Sequence, residues 1–283
     1  MIPAAIIKPG KVILAAAGPG DPELITVKAM RYLQQADVVL TDRLVSNDIL
    51  KQYVNPSAKV IYVGKQCRRG TSTPQQTINQ LLIDHASEGK LVVRLKGGDV
   101  SVFSNILDEL QVLVQHHIAY EIIPGVTAAL GAAAYTGIPL TARGHSTAVR
   151  LLTYYTSDVV PDQYWQEIAG TSDTLVFYMS AETVEGIVSK LIRYGVGRDK
   201  HIAVIEQATT PLQQVYTANI YDYLQQFRDI SFISPSLVII GKVVALHEQF
   251  GWFTGAPGRA HYFKSIASLQ NNTHNQQAHV SRA

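Results

Sequence analysis

The chain has a single cysteine, Cys67, so it offers no internal disulfide and too few thiolates for a structural zinc site. That scarcity fits a reducing compartment, and the cytoplasm is the expected location. Charged or turn residues interrupt every apolar run well before the roughly 20 residues a membrane helix needs, so no spanning helix is expected. The first residues, MIPAAIIKPGK, lack the basic, apolar and small-residue sequence of a secretory leader. A formal charge of +2 gives no global field to gather nucleic acid, and no basic stripe is interleaved with aromatics. Histidines show neither HxxxH nor HxH spacing, and the adjacent His116 and His117 read as a helix end. No metal is expected. No short repeat is visible, which argues against solenoids and propellers.

What is present is enough apolar residue, 47% of 283 positions, to bury a full core or two domains. Short apolar runs alternate with segments of helical period, the pattern of a mostly parallel sheet covered by helices. KVILAAAG, ADVVLTD and AKVIYVG read as strands of a first half, and VRLKGGDVSVF, residues 93–103, reads as a fourth that runs into two glycines and an acid. PELITVKAMRYLQQ reads as a helix with Leu24, Val27, Ala29, Met30 and Leu33 near one face. TSTPQQTINQLLIDHASEG reads as another, capped by Ser72 or Thr73, with Pro74 in its first turn and Gly89 at its exit. VTAALGAAAYTG is a helix of small residues suited to close packing. Beyond it TAVRLLTYYT, DTLVFYMS, HIAVIEQAT and SPSLVIIGKVVAL read as strands, with AETVEGIVSKLIRYG as a helix between two of them. The expected domains are residues 1–124 and 125–255, followed by an Asn-, Gln- and His-rich tail, 256–283, that lacks the apolar content to fold.

Glycine-bearing loops follow two strands of the first half, AAAGPGD and LKGGD, and a third, PGVTAA, opens the small-residue helix. Ligands of open α/β sheets sit at the carboxyl ends of strands. Glycine there permits positive φ and close approach of main chain to a ligand, although any one such loop is equally a tight turn. Gly18-Pro19-Gly20 lacks the third glycine of a dinucleotide fingerprint, and no GK[ST] follows a glycine-rich loop, so a ligand without pyrophosphate is favoured.

AAAGPGDPELITVKAMRYLQQADVVLTDRLV, RLKGGD, PGVTAALGAAAYTGIPLT, TLVFYMS, EQATTPLQQ and SPSLVIIGKVVAL resemble, in order and spacing, the tetrapyrrole methylases, over roughly Gly10 to Phe253. The branch that methylates uroporphyrinogen III is the most similar. The resemblance implies a two-domain α/β fold, usually homodimeric, with S-adenosylmethionine in a cleft between the domains. It implies methyl transfer to C2 and C7 of uroporphyrinogen III, giving precorrin-2 and S-adenosylhomocysteine, toward sirohaem or cobalamin. Neither nucleic acid nor membrane is an implied partner. Carried over residue by residue, the cofactor positions are Pro19, Gly97, Gly98, Asp99, Val102, Thr127, Ala128, Met179 and Ala208, with Pro235 and Ser236 nearby. Asp42 corresponds to a proton acceptor and Lys65 to a possible proton donor. Taken alone, Met179 reads as packing and Asp42 as a turn cap. Arg43, Arg68, Arg69 and Arg143 are candidates for holding the carboxylates of the substrate.

Departures from the family pattern fall mainly on the substrate side. Val100 replaces a proline, Ser104 and Asn105 stand where glycine and arginine are usual, Ala142 replaces a histidine, and Ala16 replaces a first-loop glycine. A relative acting on another precorrin, or mainly binding one, is the alternative these suggest. The α/β pattern alone also admits a nucleotide-dependent oxidoreductase, an RNA or protein methylase, or a structural dimer.

Overall fold

The structure is a computed structural model that describes residues 10–64, 73–155 and 160–263. The chain divides into two compact units, the first built on residues up to Thr127 and the second on Ala128–Tyr262.

The first unit holds a five-stranded sheet in the order β3-β2-β4-β1-β5. Its strands are β1 (Lys11–Ala16), β2 (Val38–Thr41), β3 (Lys59–Tyr62), β4 (Leu91–Lys96) and β5 (Ala119–Ile123), all pairing in parallel. Successive side chains point to opposite faces. Ile13, Ala15, Val39, Val93 and Leu95 therefore pack with Ala29 and Leu33 on one side. Val12, Leu14, Val38, Leu40 and Val92 pack with Ile78, Leu82 and Leu113 on the other. Burial on both faces is why the central strands β1, β2 and β4 read as apolar runs.

The expected helix over residues 22–35 is two elements. A 3-10 turn, Pro22–Leu24, ends at Ile25, and an α-helix, Val27–Gln35, begins after Thr26, whose Oγ1 accepts from the Ala29 amide. Both Ile25 and Thr26 have extended backbone, and the break turns Val27 out to 59% exposure, off the face predicted for it. Pro74 is the N-cap of Gln75–Ser87 rather than part of its first turn, and no side chain caps that helix. His116 is the C-cap of the helix Leu107–Gln115.

The second unit holds β6 (Val149–Thr153), β7 (Thr174–Tyr178), β8 (His201–Glu206), β9 (Gln214–Asn219) and β10 (Ser236–Gly241), in the order β6-β7-β10-β8-β9. Here the expectation of mostly parallel pairing fails. β6 and β7 are parallel, but β7–β10, β10–β8 and β8–β9 are antiparallel. Only a short turn joins β8 to β9, too short for the crossover that parallel neighbours require. Ala129 and Ala132 of the small-residue helix, Ala128–Thr136, bury fully against Val176, Ala203, Ile205, Leu237 and Ile239. Trp165, Ile187 and Leu191 cover the opposite face.

Gln207 holds the start of the expected tail: its Oε1 accepts from the Tyr262 amide at 2.6 Å and its Nε2 donates to the Ala260 carbonyl at 3.0 Å. Residues 264–283 lie outside the described residues.

Candidate functional site

Parallel pairing brings the carboxyl ends of β1, β2, β4 and β5 to one edge of the first sheet. There Gly18 and Gly98 exchange main-chain hydrogen bonds, 3.1 Å from Gly18 N to Gly98 O and 2.7 Å in return. Both have positive φ, +79° and +70°, which a side chain would strain. The pair ties the Pro19 loop to the Gly97–Asp99 loop.

Asp99 extends the tie to the loop after β5. Its Oδ1 accepts from the Ser101 amide at 2.8 Å and from the Ser101 hydroxyl, while Oδ2 accepts from the Gly125 amide at 2.8 Å. Burial opposes ionisation of this carboxyl, but the bonds from Ser101, Gly125 and Val100 outweigh it and hold its proton affinity below the usual range. Asp99 is thus the organiser of these loops. A Cβ on Gly125 would come within 2.5 Å of the Ala16 Cβ, so the alanine that replaces a family glycine is accommodated by the bare Cα opposite it.

Gly97 is bare for a related reason. A Cβ there would lie 2.7 Å from the Leu44 Cβ and 2.8 Å from the Leu44 carbonyl oxygen. Leu44 belongs to the turn begun by Asp42, whose Oδ1 accepts from the Leu44 amide at 3.0 Å. The capping role of Asp42 is therefore present in the structure, and it fixes a half-buried carboxylate at the end of β2 beside the Gly97 loop. Arg43 follows directly and is half-buried.

The Gly-Gly-Asp turn continues through Val102 into two non-glycine residues of positive φ, Phe103 at 51° and Asn105 at 53°. Asn105 donates to Asp108 at 2.8 Å, and Val100 is buried where the family has proline. Thr127 closes the first unit, nearly buried.

In the second unit the remaining candidates gather at the ends of β7 and β8 and at the start of the antiparallel β10. Met179 follows β7 with φ 55° and 47% exposure, so it is not the packing residue that its strand context suggests. Its sulfur accepts from the Tyr155 hydroxyl at 3.2 Å. Tyr178 accepts at its hydroxyl from the Ala129 amide at 3.1 Å, serving the first turn of the helix that Ala128 opens. Ala208 sits between Gln207 and Thr209, both of positive φ, and the Gln207 amide donates to the Pro235 carbonyl at 2.8 Å. Ser236 pairs with Glu206 in the β8–β10 register. The hydroxyl of Ser236 and Oε2 of Glu206 are buried without a hydrogen-bond partner among the described residues. Burial pushes the Glu206 carboxyl up.

Arg143 is exposed in the turn Ala142–Ser146 of the second unit, where its carbonyl contacts His145 Nδ1 at 3.1 Å. Lys65, Arg68 and Arg69 lie outside the described residues.

Sequence reasoning missed a buried charge cluster at the end of β4. Glu109 Oε1 accepts from Arg94 Nε at 3.0 Å, and its Oε2 accepts from Lys96 Nζ at 3.0 Å. The signal was available: two cations at alternate positions of a buried strand share one face and require an acid there.

The family model of the tetrapyrrole (corrin/porphyrin) methylases matches residues 11–223. A protein named siroheme synthase from Pseudomonas fluorescens (strain SBW25) is 45% identical over 248 residues, 88% of this chain and 53% of its own length. Another siroheme synthase, from Saccharophagus degradans, is 44% identical over 88% of this chain and 54% of its own length. The chain thus spans about half the length of the curated relatives it matches. Among solved structures, a uroporphyrin-III C-methyltransferase from Thermus thermophilus complexed with S-adenyl homocysteine superposes with TM-score 0.69 at 34% identity, covering 83% of this chain and 93% of that one. A cobalt precorrin-4 methyltransferase superposes with TM-score 0.74 at 28% identity, covering 83% and 95%.

Proposed function

The chain belongs to the tetrapyrrole methylases, and from that premise we propose that it transfers methyl groups from S-adenosylmethionine to carbon atoms of uroporphyrinogen III. The proposed targets are C2 and C7 and the products are precorrin-2 and S-adenosylhomocysteine, on the route to sirohaem. The observation that carries the reading is the fastening of the β1, β4 and β5 loops by the Gly18–Gly98 pair and by Asp99, which fixes main chain at the strand ends where such folds take their ligands. A neighbour of 34% identity that was solved with S-adenyl homocysteine supports the choice of cofactor.

The side chains of the second unit fit that group. The exposed Met179 offers soft apolar surface, and the unpartnered Ser236 hydroxyl beside Pro235 offers a polar contact. When bound, S-adenosylmethionine supplies a methyl group already activated on a sulfonium. The chain's own task is then alignment and proton management. Asp42, with Oδ1 engaged by the Leu44 amide, takes at Oδ2 the proton released from the methylated tetrapyrrole. Arg43, Arg68, Arg69 and Arg143 bind the carboxylates of the substrate, and Lys65 serves as the proton donor.

Incubation with uroporphyrinogen III and methyl-labelled cofactor, read by product mass, tests this. A gain of two labelled methyl groups is expected, and no gain would overturn the reading. Asp42→Asn should keep S-adenosylhomocysteine binding while turnover falls by about 10²- to 10⁴-fold, the usual reach of a general base. The exchange of Arg and His for Asn105 and Ala142 favours one second reading, a methylase of another precorrin. The same assay with other precorrins separates the two.

A further inference from the structure

Charge at the end of β4 does not balance within the cluster already described. Arg94 and Lys96 share the single carboxylate of Glu109, and all three side chains are buried. Two cations against one anion leave a net positive charge where desolvation is costly unless a further anion stands near. Strand register identifies that anion. β2 lies beside β4 with Leu40 opposite Arg94 and Thr41 opposite Leu95, so one position on Asp42 falls beside Lys96.

Opposed residues of parallel neighbours share a face. Leu40 lies on the face covered by the helices Gln75–Ser87 and Leu107–Gln115, and Glu109 approaches from the second of these. From the first helix His85 is engaged by Glu88 at 3.3 Å instead. Burial, and then the like charge of Arg94, pull the proton affinity of Lys96 down, whereas Glu109 and Asp42 pull it up.

We propose that Lys96 is a positioning residue for Asp42: anchored by Glu109, its ammonium group restrains the carboxylate in the orientation that receives the substrate's proton. The Leu44 amide fixes one oxygen of that carboxylate, and the lysine supplies the second restraint. The proposal rests on the reading of Asp42 as the base.

Two measurements on the full chain test it separately from that reading. In protein labelled at lysine Cε, with the Lys96 signal assigned by its loss in Lys96→Arg, Asp42→Asn should lower the proton affinity of Lys96 by about tenfold, the effect of removing a nearby opposite charge. An unchanged titration would overturn the proposal. In methyl transfer to uroporphyrinogen III, Lys96→Met should reduce kcat by about 10- to 100-fold with little change in KM, as loss of orientation does. Lys96→Arg should restore most of the rate, and Lys96→Met should cost nothing more in the Asp42→Asn background. Equal losses in both backgrounds would mean that Lys96 acts only on the fold. Methionine keeps the aliphatic stem and leaves Arg94 to neutralise Glu109, and Lys96→Gln serves if that variant does not fold. A wild-type chain that leaves uroporphyrinogen III unmethylated would end the functional reading, and the lysine titration would still decide whether Lys96 is paired with Asp42.

Discussion

Gly97 and Gly98 look alike in sequence and do different work. Gly98 adopts a left-handed φ and bonds to Gly18, whereas Gly97 makes room for Leu44. The glycines were conspicuous in the sequence, but Leu44, 53 positions away, was not, because nothing local signals which backbone will pass close by. Gly97→Ala should destabilise the chain by about 1–3 kcal/mol, the usual cost of overpacking. It should also lower turnover by displacing the Asp42 turn. Gly170→Ala provides the contrast, since a Cβ there meets nothing within 4 Å. It should be neutral or raise stability by up to about 1 kcal/mol through the unfolded chain. Urea unfolding of both variants checks this, and equal effects would exclude the Leu44 contact as the cause. Glu109 is a harder case. Glu109→Gln strands Arg94 and Lys96 as buried cations, and a loss of about 3–5 kcal/mol is expected on denaturation.

Elements were legible where one periodicity governed them. β1, β2 and β4 are buried on both faces and announce themselves as apolar runs, and the half-buried edge strand β3 is apolar enough to read with them, whereas β5, with Tyr120 and Ile122 more than 40% exposed, and β9 escaped notice. The 3-10 turn and the helix at Val27 share an apolar rhythm, and only the Thr26 cap separates them. The edge strand β5 is joined to its neighbours by Glu121, which takes Lys11 at 2.7 Å, the Tyr32 hydroxyl at 2.6 Å and Lys28. Bonds from Lys11, Lys28 and Tyr32 hold the Glu121 carboxyl down to about 2. A carboxyl depressed by folding stabilises the fold above its unfolded value, near 4.5, and that contribution is lost as pH falls toward about 2. The Glu121 side chain is 25% exposed, so solvent screening keeps the effect modest. Glu121→Gln should therefore flatten the acid limb of stability between those pH values while leaving neutral stability only slightly reduced. Urea midpoints measured across that range would show it, and an unaltered slope would reject the network's role.

At the scale of the whole molecule, composition and alternation conveyed two α/β units but not that their sheets differ in pairing. β4 and β8 carry similar apolar runs and each follows a helix, yet β4 pairs in parallel with both neighbours, whereas β8, which leads into β9 through residues 207–213, pairs antiparallel with β9 and β10. Direction is set by the connection rather than the strand. The family was legible in a similar way, through an ordered series of loops drawn from both units rather than through any one of them. Binding can be tested on that scale without chemistry. A ligand held only by the folded chain stabilises it by about 2.7 kcal/mol at a hundredfold excess over its Kd. S-adenosylhomocysteine at that excess should raise the melting temperature of the wild type and of Asp42→Asn alike, because the role proposed for Asp42 is at the substrate's proton and not at the nucleoside. Met179→Ala should need a higher concentration for the same rise, having lost exposed sulfur surface. Nicotinamide dinucleotides should produce no rise, since the Gly18-Pro19-Gly20 loop lacks the third glycine on which a pyrophosphate would rest. A rise with the dinucleotide and none with S-adenosylhomocysteine would return the α/β pattern to its oxidoreductase reading.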